Sequence, residues 1–96
     1  MRKWCVYIHV TPSNKVYVGI TSQNPIRRWK NGLGYSKQVY FYRAILKYGW
    51  DNIKHEIIVS GISSKRAKYL EKYYIKVYQA NNPSFGYNLT NGGEDT

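Results

Sequence analysis

The chain has 96 residues, of which 43% are hydrophobic, so it suffices for one domain with one core and not for two. Fifteen Lys and Arg against five Asp and Glu give a net charge of +10, which favours polyanionic partners, nucleic acid before an acidic membrane. No apolar run approaches the roughly 20 residues of a membrane span, the N-terminus lacks a signal-peptide core, and the single Cys5 excludes an internal disulfide. We expect one cytoplasmic domain over residues 1–96, with 86–96 as a partly irregular tail.

The first predicted elements are two strands joined by a turn. From Trp4 to Val10 and from Lys15 to Thr21, apolar side chains alternate with a second series that carries the tyrosines. This pattern predicts an antiparallel hairpin with an aliphatic face and a tyrosine-bearing face. One register places Tyr7 directly opposite Tyr17, and any slip by two keeps both rings on one face. A simple cross-strand aromatic pair is the alternative to a functional role for them.

Three helices and one more strand follow, in the predicted order β-β-α-α-β-α. A short helix begins at Asn24-Pro25 and ends near Lys30, and a second runs from Val39 to Tyr48. Lys54 to Val59 form the third strand. The longest helix begins at a Ser63 or Ser64 cap and ends near Gln79. We expect the helices to cover the aliphatic sheet face, which gives a mixed α/β (α+β) domain.

Glu71 is the one acidic residue in the middle of a predicted helix. Helical geometry places it within an apolar arc, opposite a row of lysines. The arc comprises Ala67, Leu70, Tyr74 and Val77, continued by Ile75 and Tyr78, and the lysines are Lys65, Lys68, Lys72 and Lys76. A carboxylate facing a core is costly unless it is paired, protonated or bound to a metal. Two interpretations remain at this point: a salt bridge or partly solvated position at the edge of the arc, or a metal ligand.

Five short motifs, taken in chain order, resemble the GIY-YIG nuclease family. They are Cys5-Val6-Tyr7, Tyr17-Val18-Gly19, Arg27-Arg28-Trp29, the helix segment Glu71 to Ile75, and Gly86-Tyr87-Asn88. Each tripeptide alone is a weak signal, but the ordered set covers the chain from Trp4 to about Gly93. Cys5 stands where the first motif begins with Gly, a structural position. Asn31, Gly32 and Leu33 occupy the stretch where some members carry a His or Tyr.

The resemblance implies a three-stranded antiparallel sheet flanked by helices and a one-metal endonuclease. By position, Tyr7 and Tyr17 match the motif tyrosines, and Asn88 matches a structural or site asparagine. Glu71 matches the ligand of one Mg²⁺ or Mn²⁺ per active site. Arg28 matches the catalytic arginine because it directly precedes Trp29, with Arg27 as its competitor. The implied reaction has one tyrosine, Tyr7 in preference to Tyr17, taking the proton of the attacking water, and leaves a 5′ phosphate and a 3′ hydroxyl.

Further residues are expected around this site. The candidates for nucleic-acid contact are Arg27, Lys30, Lys37 and Arg43, and those for lining the site are His9, Gly19 and Tyr35. Gly19 lacks a side chain on the tyrosine face, so backbone or a phosphate can come close. His55 on the third strand is expected to be a packed or surface histidine.

Partners and role follow from the resemblance alone. DNA is favoured over RNA, no membrane partner is expected, and a dimer or a separate specificity partner remains open. A phage or mobile-element nuclease, similar to the catalytic domain of homing endonucleases, is the leading biological interpretation. The first alternative is a non-catalytic nucleic-acid-binding module on the same scaffold, and the second is a structural basic protein. The intact set of two Tyr, Arg, Glu and Asn argues against the first, because a binding module has no need of a helical Glu71 among lysines. The second predicts no role for Glu71.

Overall fold

The computed structural model describes residues 2–89, and its elements follow the predicted order β-β-α-α-β-α. The strands are β1 (Trp4–Val10), β2 (Val16–Thr21) and β3 (Lys54–Ile62), and the helices are α1 (Pro25–Trp29), α2 (Val39–Tyr48) and α3 (Ser64–Tyr78). Short 3₁₀ helices over Lys30–Tyr35 and Trp50–Asn52 connect α1 to α2 and α2 to β3. The predicted α+β class and the three-stranded antiparallel sheet are confirmed.

The caps of the helices are those that the sequence predicts. The Asn24 side chain accepts a hydrogen bond from the Ile26 amide and Pro25 occupies the first turn, which together begin α1. Ser63, the first of the two predicted candidates, accepts from the Arg66 amide and begins α3. Between α1 and α2, Asn31 and Gly32 have positive φ, so the chain folds back sharply on α1.

The sheet has the order β2-β1-β3, with β1 in the centre and antiparallel to both neighbours. Tyr7 and Tyr17 share one face as predicted, but they are not directly opposite, because Tyr7 pairs with Gly19 and His9 pairs with Tyr17. A Cβ atom at Gly19 would lie 2.6 Å from the hydroxyl oxygen of Tyr7. The room that Gly19 leaves is therefore filled by the Tyr7 ring, and the expectation that backbone or a phosphate would use it is wrong.

Both faces of the sheet are covered, each by different helices. On the aliphatic face, Val6, Ile8 and the apolar residues of β2 pack against α3. On the tyrosine face, Cys5 and Tyr7 pack against Trp29 from α1 and Phe41 from α2. The expectation that the helices cover the aliphatic face thus holds for α3 alone. The two earlier helices cover the other face because its large rings also have to leave water.

The inward arc of α3 is centred close to Glu71. Ala67 and Ile75, about 40° to either side of Glu71 on a helix, are both buried. Val77 lies about 120° away and is 54% exposed, and Tyr78 at the last helical position is exposed as well. The predicted arc was therefore too wide at its C-terminal end. Glu71 itself is half-buried.

The segment after α3 closes the free edge of β2. Val16 exchanges backbone hydrogen bonds with Phe85 and Tyr87, both at 3.0 Å. One residue further on, the Asn88 side chain accepts from the Val18 amide and donates to the Val18 carbonyl, both at 2.9 Å. Gly86 thus forms an isolated parallel bridge with Val16, and residues 87–88 are irregular but tied to β2 by hydrogen bonds. The rest of the predicted tail, residues 90–96, lies outside the described residues.

Replacement of Asn88 by alanine removes both bonds to Val18 and leaves a strand edge unpaired. We expect Asn88→Ala to lower the free energy of unfolding by about 1–3 kcal/mol. Urea denaturation of the variant beside Leu89→Ala, a truncation of an exposed side chain, measures this. Equal effects of the two substitutions would contradict a structural role for the Asn88 amide.

Candidate active site

The two motif tyrosines occupy different environments. Tyr7, on the central strand, is only 1% exposed, and its ring lies across Gly19. Tyr17, on the edge strand β2, is half-buried, and its hydroxyl donates a 2.5 Å hydrogen bond to Oε1 of Gln38. One tyrosine is therefore part of the core, and the other lies at its margin.

Arg28, on α1, reaches the tyrosine cluster, which consists of Tyr7, Tyr17 and Tyr35. Its Nη1 donates to the Gly34 carbonyl at 2.9 Å, and its guanidinium lies 4.9 Å from the centre of the Tyr35 ring. A Cβ atom at Gly34 would lie 2.1 Å from the Arg28 carbonyl oxygen, so this close return of the chain requires glycine. Arg27, the competing candidate, is exposed. The structure brings Arg28, and not Arg27, to the tyrosines.

A chain of hydrogen bonds runs through the core beneath Arg28. The Tyr35 hydroxyl donates to the Tyr7 hydroxyl at 3.2 Å and lies 2.7 Å from Nε2 of His9. Nδ1 of His9 lies 2.8 Å from Nδ1 of His55. Nε2 of His55 donates to the Trp50 carbonyl at 3.1 Å, since a carbonyl can only accept. Of this chain, the sequence indicated His9 and Tyr35 as lining the site, and it predicted His55 as a packed or surface histidine, which agrees with its half-buried position.

His55 enters the chain through the register of the sheet. β1 and β3 pair so that His9 and His55 are direct partners. The His55 ring also stacks on Trp50, with 3.9 Å between ring centroids. No motif marks this histidine. The signal lay in the pairing of β1 with β3, which a single sequence does not provide.

Burial shifts the ionisation of His9 and of the three tyrosines toward the neutral form. It lowers the pKa of His9 to about 2, and the nearby His55 and Arg28 charges act in the same direction. Burial likewise raises the pKa of the Tyr7, Tyr17 and Tyr35 hydroxyls above the usual range, although the Arg28 charge opposes each increase. The cluster is thus electrically neutral near physiological pH, apart from the guanidinium.

Glu71, on α3, affects the ionisation of one tyrosine of this cluster. Its negative charge contributes to the raised pKa of Tyr17, after burial and the effect of Tyr7. Within residues 2–89 no group of three or more His, Cys, Asp or Glu side chains could hold a metal ion. A cation at Glu71 would therefore have one carboxylate ligand plus water and phosphate oxygens. That donor set suits Mg²⁺, which keeps several waters and takes one or two carboxylates with substrate phosphates.

Two further observations concern the basic residues at the surface and one buried N–H. The four expected nucleic-acid contacts, Arg27, Lys30, Lys37 and Arg43, are all exposed. Among the described residues, Nε1 of Trp29 is the one buried side-chain nitrogen or oxygen without a hydrogen-bond partner. The Trp29 ring lies edge-on to Tyr7 at 5.3 Å. This buried N–H faces Tyr7, and its interaction with the Tyr7 hydroxyl lowers the pKa of Tyr7 against the larger effect of burial.

A model of the GIY-YIG catalytic domain matches residues 3–88, nearly the whole chain. Domains of this class are typically endonucleases, so the function is of the nuclease type in general and the substrate is a nucleic acid. The chain belongs to the GIY-YIG family. Searches of curated proteins and of solved structures return no significant match. In the part of the chain that the structure describes, no helix combines the length and apolarity needed to cross a membrane.

Burial of a neutral His9 makes stability depend on pH. The unfolded chain binds a proton on His9 below about pH 6.5, whereas the folded chain does not until near pH 2. We therefore expect the free energy of unfolding to fall on acidification, by up to about 1.4 kcal/mol per pH unit between about pH 6 and pH 4. Urea denaturation across this range measures the slope.

The variant His9→Phe is the control for that measurement. It keeps an aromatic ring in the core and removes the titrating group, so its slope should be smaller at every pH in the range. His55, whose pKa burial also lowers, accounts for the slope that remains. Identical slopes in the two proteins would show that His9 does not remain neutral in the fold.

Proposed function

We propose that the protein is a metal-dependent endonuclease that hydrolyses DNA phosphodiester bonds with one Mg²⁺ or Mn²⁺ per active site. The observation that carries this proposal is the position of Arg28. The single guanidinium lies over Tyr35, and its charge acts on Tyr7 and Tyr17, while Glu71 acts on Tyr17 from α3. Arg28 thus meets the tyrosines directly, and Glu71, on the helix that covers the other face of the sheet, acts on Tyr17 through its charge.

The residues divide the work of phosphodiester hydrolysis among them. Glu71 would hold the cation, which when bound neutralises phosphate charge and makes water a better nucleophile. Arg28 places a permanent positive charge against the phosphoryl oxygens, with donors in a geometry that suits phosphate.

Tyr7 is the better candidate for taking the proton of the attacking water. A phenol can accept a proton only if its own proton has somewhere to go. The Tyr17 hydroxyl donates its hydrogen bond to the amide oxygen of Gln38, which is not basic and cannot take up the proton. The Tyr7 hydroxyl adjoins Tyr35, which in turn adjoins an imidazole. Because Tyr7 is deeply buried, Arg28 and the metal would hold the phosphate outside the core in this scheme, and only the attacking water would meet the Tyr7 hydroxyl.

Substrate binding would depend on charge. A net charge of +10 and exposed basic residues around α1 and α2 suit contacts to phosphates, which position a nucleic acid without reading its sequence. Family precedent favours DNA as the substrate. Dimerisation or a separate specificity partner would supply any further selectivity.

One observation favours the alternative, a binding module that does not cut. Tyr7 and Tyr35 are buried with raised pKa values, as they would be in a purely structural core. The two candidates differ in Glu71, because binding of a polyanion gains nothing from a half-buried carboxylate.

Glu71→Gln distinguishes the two functions. We expect wild type to cleave DNA with Mg²⁺ or Mn²⁺ and not with EDTA, and the variant to be slower by at least about 100-fold, because a neutral amide is a poor ligand for a hard cation. Supercoiled plasmid and labelled single-stranded, duplex and branched DNA, with matched RNA, measure activity and preferred shape. Gel-shift assays measure binding separately.

The matched control is Glu56→Gln, which removes an exposed carboxylate from β3. It should cleave at the wild-type rate. If all three proteins bind nucleic acid and none cuts DNA or RNA with either metal, the binding module is the better description.

A second pair of variants tests the choice of arginine. We expect Arg28→Lys to reduce single-turnover cleavage by about 100-fold, because lysine keeps the charge and loses the forked donors and the stacking on Tyr35. Arg27→Lys, at the exposed neighbouring position, should change the rate by less than about 3-fold. A larger loss from Arg27→Lys than from Arg28→Lys would reverse the assignment.

A further inference from the structure

His9 is the buried ionisable group for which the proposed reaction gives no reason. It is 0% exposed, and Phe41 stacks on it at 5.4 Å. Both ring nitrogens are paired, Nε2 with the Tyr35 hydroxyl at 2.7 Å and Nδ1 with Nδ1 of His55 at 2.8 Å. An apolar ring would fill the same space without the cost of burying two polar atoms.

Counting protons along the chain shows two complete arrangements. Four links join the Trp50 carbonyl, His55, His9, Tyr35 and Tyr7 in series, and each link requires one hydrogen. With both imidazoles neutral, the four links are filled when every hydrogen points away from Tyr7, which then donates to Tyr35. In the second arrangement Tyr35 donates to Tyr7. His9 must then donate through Nε2 and His55 through both nitrogens, so this arrangement holds one more proton.

We propose that Tyr7, Tyr35, His9 and His55 form a buried proton relay, which carries the proton of the attacking water from the active site to His55 on β3. The proposal rests on the nuclease function proposed above, since it specifies where the proton accepted by Tyr7 goes. His9 and His55 are relay residues that do not touch the substrate.

The transfer balances atom by atom. The attacking water gives a proton to the Tyr7 oxygen as its oxygen bonds to phosphorus, and the Tyr7 proton passes to the Tyr35 oxygen. The Tyr35 proton passes to Nε2 of His9, and the Nδ1 proton of His9 passes to Nδ1 of His55. His55 ends as an imidazolium that donates to His9 and to the Trp50 carbonyl. The leaving 3′ oxygen takes its proton from solvent, and His55 later returns its own to solvent.

The relay removes the main chemical difficulty of a tyrosine base. Burial raises the pKa of Tyr7, so a Tyr7 phenolate would be costly in this core. In the relay neither tyrosine carries a charge at the start or at the end, because each gives up one proton as it receives another. The charge appears on the half-buried His55, at the margin of the core.

His55 is a better terminus than His9 because of its surroundings. The titratable and charged groups that face His9 are Tyr7, Tyr17, Tyr35, His55 and Arg28. None is anionic. Burial, then the positive charge that His55 carries when it is protonated, and then the Arg28 charge lower the pKa of His9 and keep it neutral. Burial lowers the pKa of His55 as well, but the Trp50 carbonyl and the Asp51 charge oppose that decrease.

The pH profile of single-turnover cleavage tests the relay through Tyr35→Phe and His55→Gln. Wild type should reach a plateau above the pKa of His55, because a neutral His55 is ready to accept. Both variants should be slower by about 100-fold near neutrality. Their rates should keep rising with pH toward the range of a phenol, because Tyr7 then has to ionise. Glu56→Gln, on the same strand, should keep the wild-type profile.

The double variant separates a relay from two independent structural effects. Tyr35→Phe and His55→Gln interrupt the same path, so together they should cost no more than the slower single variant. Independent packing defects would multiply. Circular dichroism of each variant shows whether it is folded, and if Tyr35→Phe does not fold, the profile of His55→Gln decides.

A readout that needs no cleavage is the tautomer of His9, followed by ¹⁵N NMR of histidine-labelled wild type. As His55 takes up its proton on acidification, His9 should change from the Nδ1–H to the Nε2–H tautomer while remaining neutral. A His9 ring that keeps one tautomer through the titration of His55 overturns the relay. So does unchanged pH dependence in a folded Tyr35→Phe that cuts, and that result leaves the nuclease intact. If no protein cuts, the nuclease function and the catalytic role of the relay fail together.

Discussion

The imidazole of His9 is enclosed between the sheet and the two helices that cover its tyrosine face, and the surrounding site follows from how it is satisfied. A buried ring with two polar nitrogens needs two partners, and an unmet one would cost about 1–3 kcal/mol. Register with β3 supplies His55 for one nitrogen, and the fold of the segment after α1 supplies Tyr35 for the other. Tyr35 can reach His9 only because that segment turns back on α1 at residues with positive φ. The same return brings the Gly34 carbonyl to Arg28.

Two glycines allow close approaches to the edge strand β2, and one asparagine completes its hydrogen bonds. Gly19 allows the Tyr7 ring to cross β2, and any side chain there would displace the Tyr7 hydroxyl. At Gly86 the segment after α3 passes so close to β2 that a Cβ atom would lie 2.6 Å from the Val16 carbonyl oxygen. Only glycine therefore fits at this position. Asn88 then completes the edge of β2 with its side chain. The contacts of this amide favour the structural over the catalytic role that the family resemblance allowed.

The parts of the fold that depend on local sequence could be predicted, and those that depend on pairing could not. Hydrophobic periodicity and capping residues placed α2 at its observed bounds and α3 within one residue at each end. The alternation in β1 and β2 separated the two faces correctly but left the register open, because the side-chain period fixes the face and not the partner. In the structure Tyr7 pairs with Gly19 and not with Tyr17. The pairing of His9 with His55 could not be foreseen for the same reason. The cover over the tyrosine face was missed because a face rich in Tyr and His does not read as a core.

Burial has opposite consequences for the two ends of the proposed site. At the metal end, Glu71 is half-buried on the arc of α3 that faces β2, where its charge is felt by Tyr17 and remains within reach of solvent and substrate. At the other end, Tyr7, Tyr35 and His9 are sealed in a core that disfavours any charge on them. A core of that kind disfavours a charged group. A proton can still be transferred through it if every hydrogen-bond donor has a neighbouring acceptor. The hydrogen bonds from Tyr7 to His55 meet that condition, and they end where the imidazole again meets water. The proposed relay would then account for the polar groups in this core, because they lead from the buried Tyr7 to the half-buried His55, a path that an aliphatic core of the same volume could not supply.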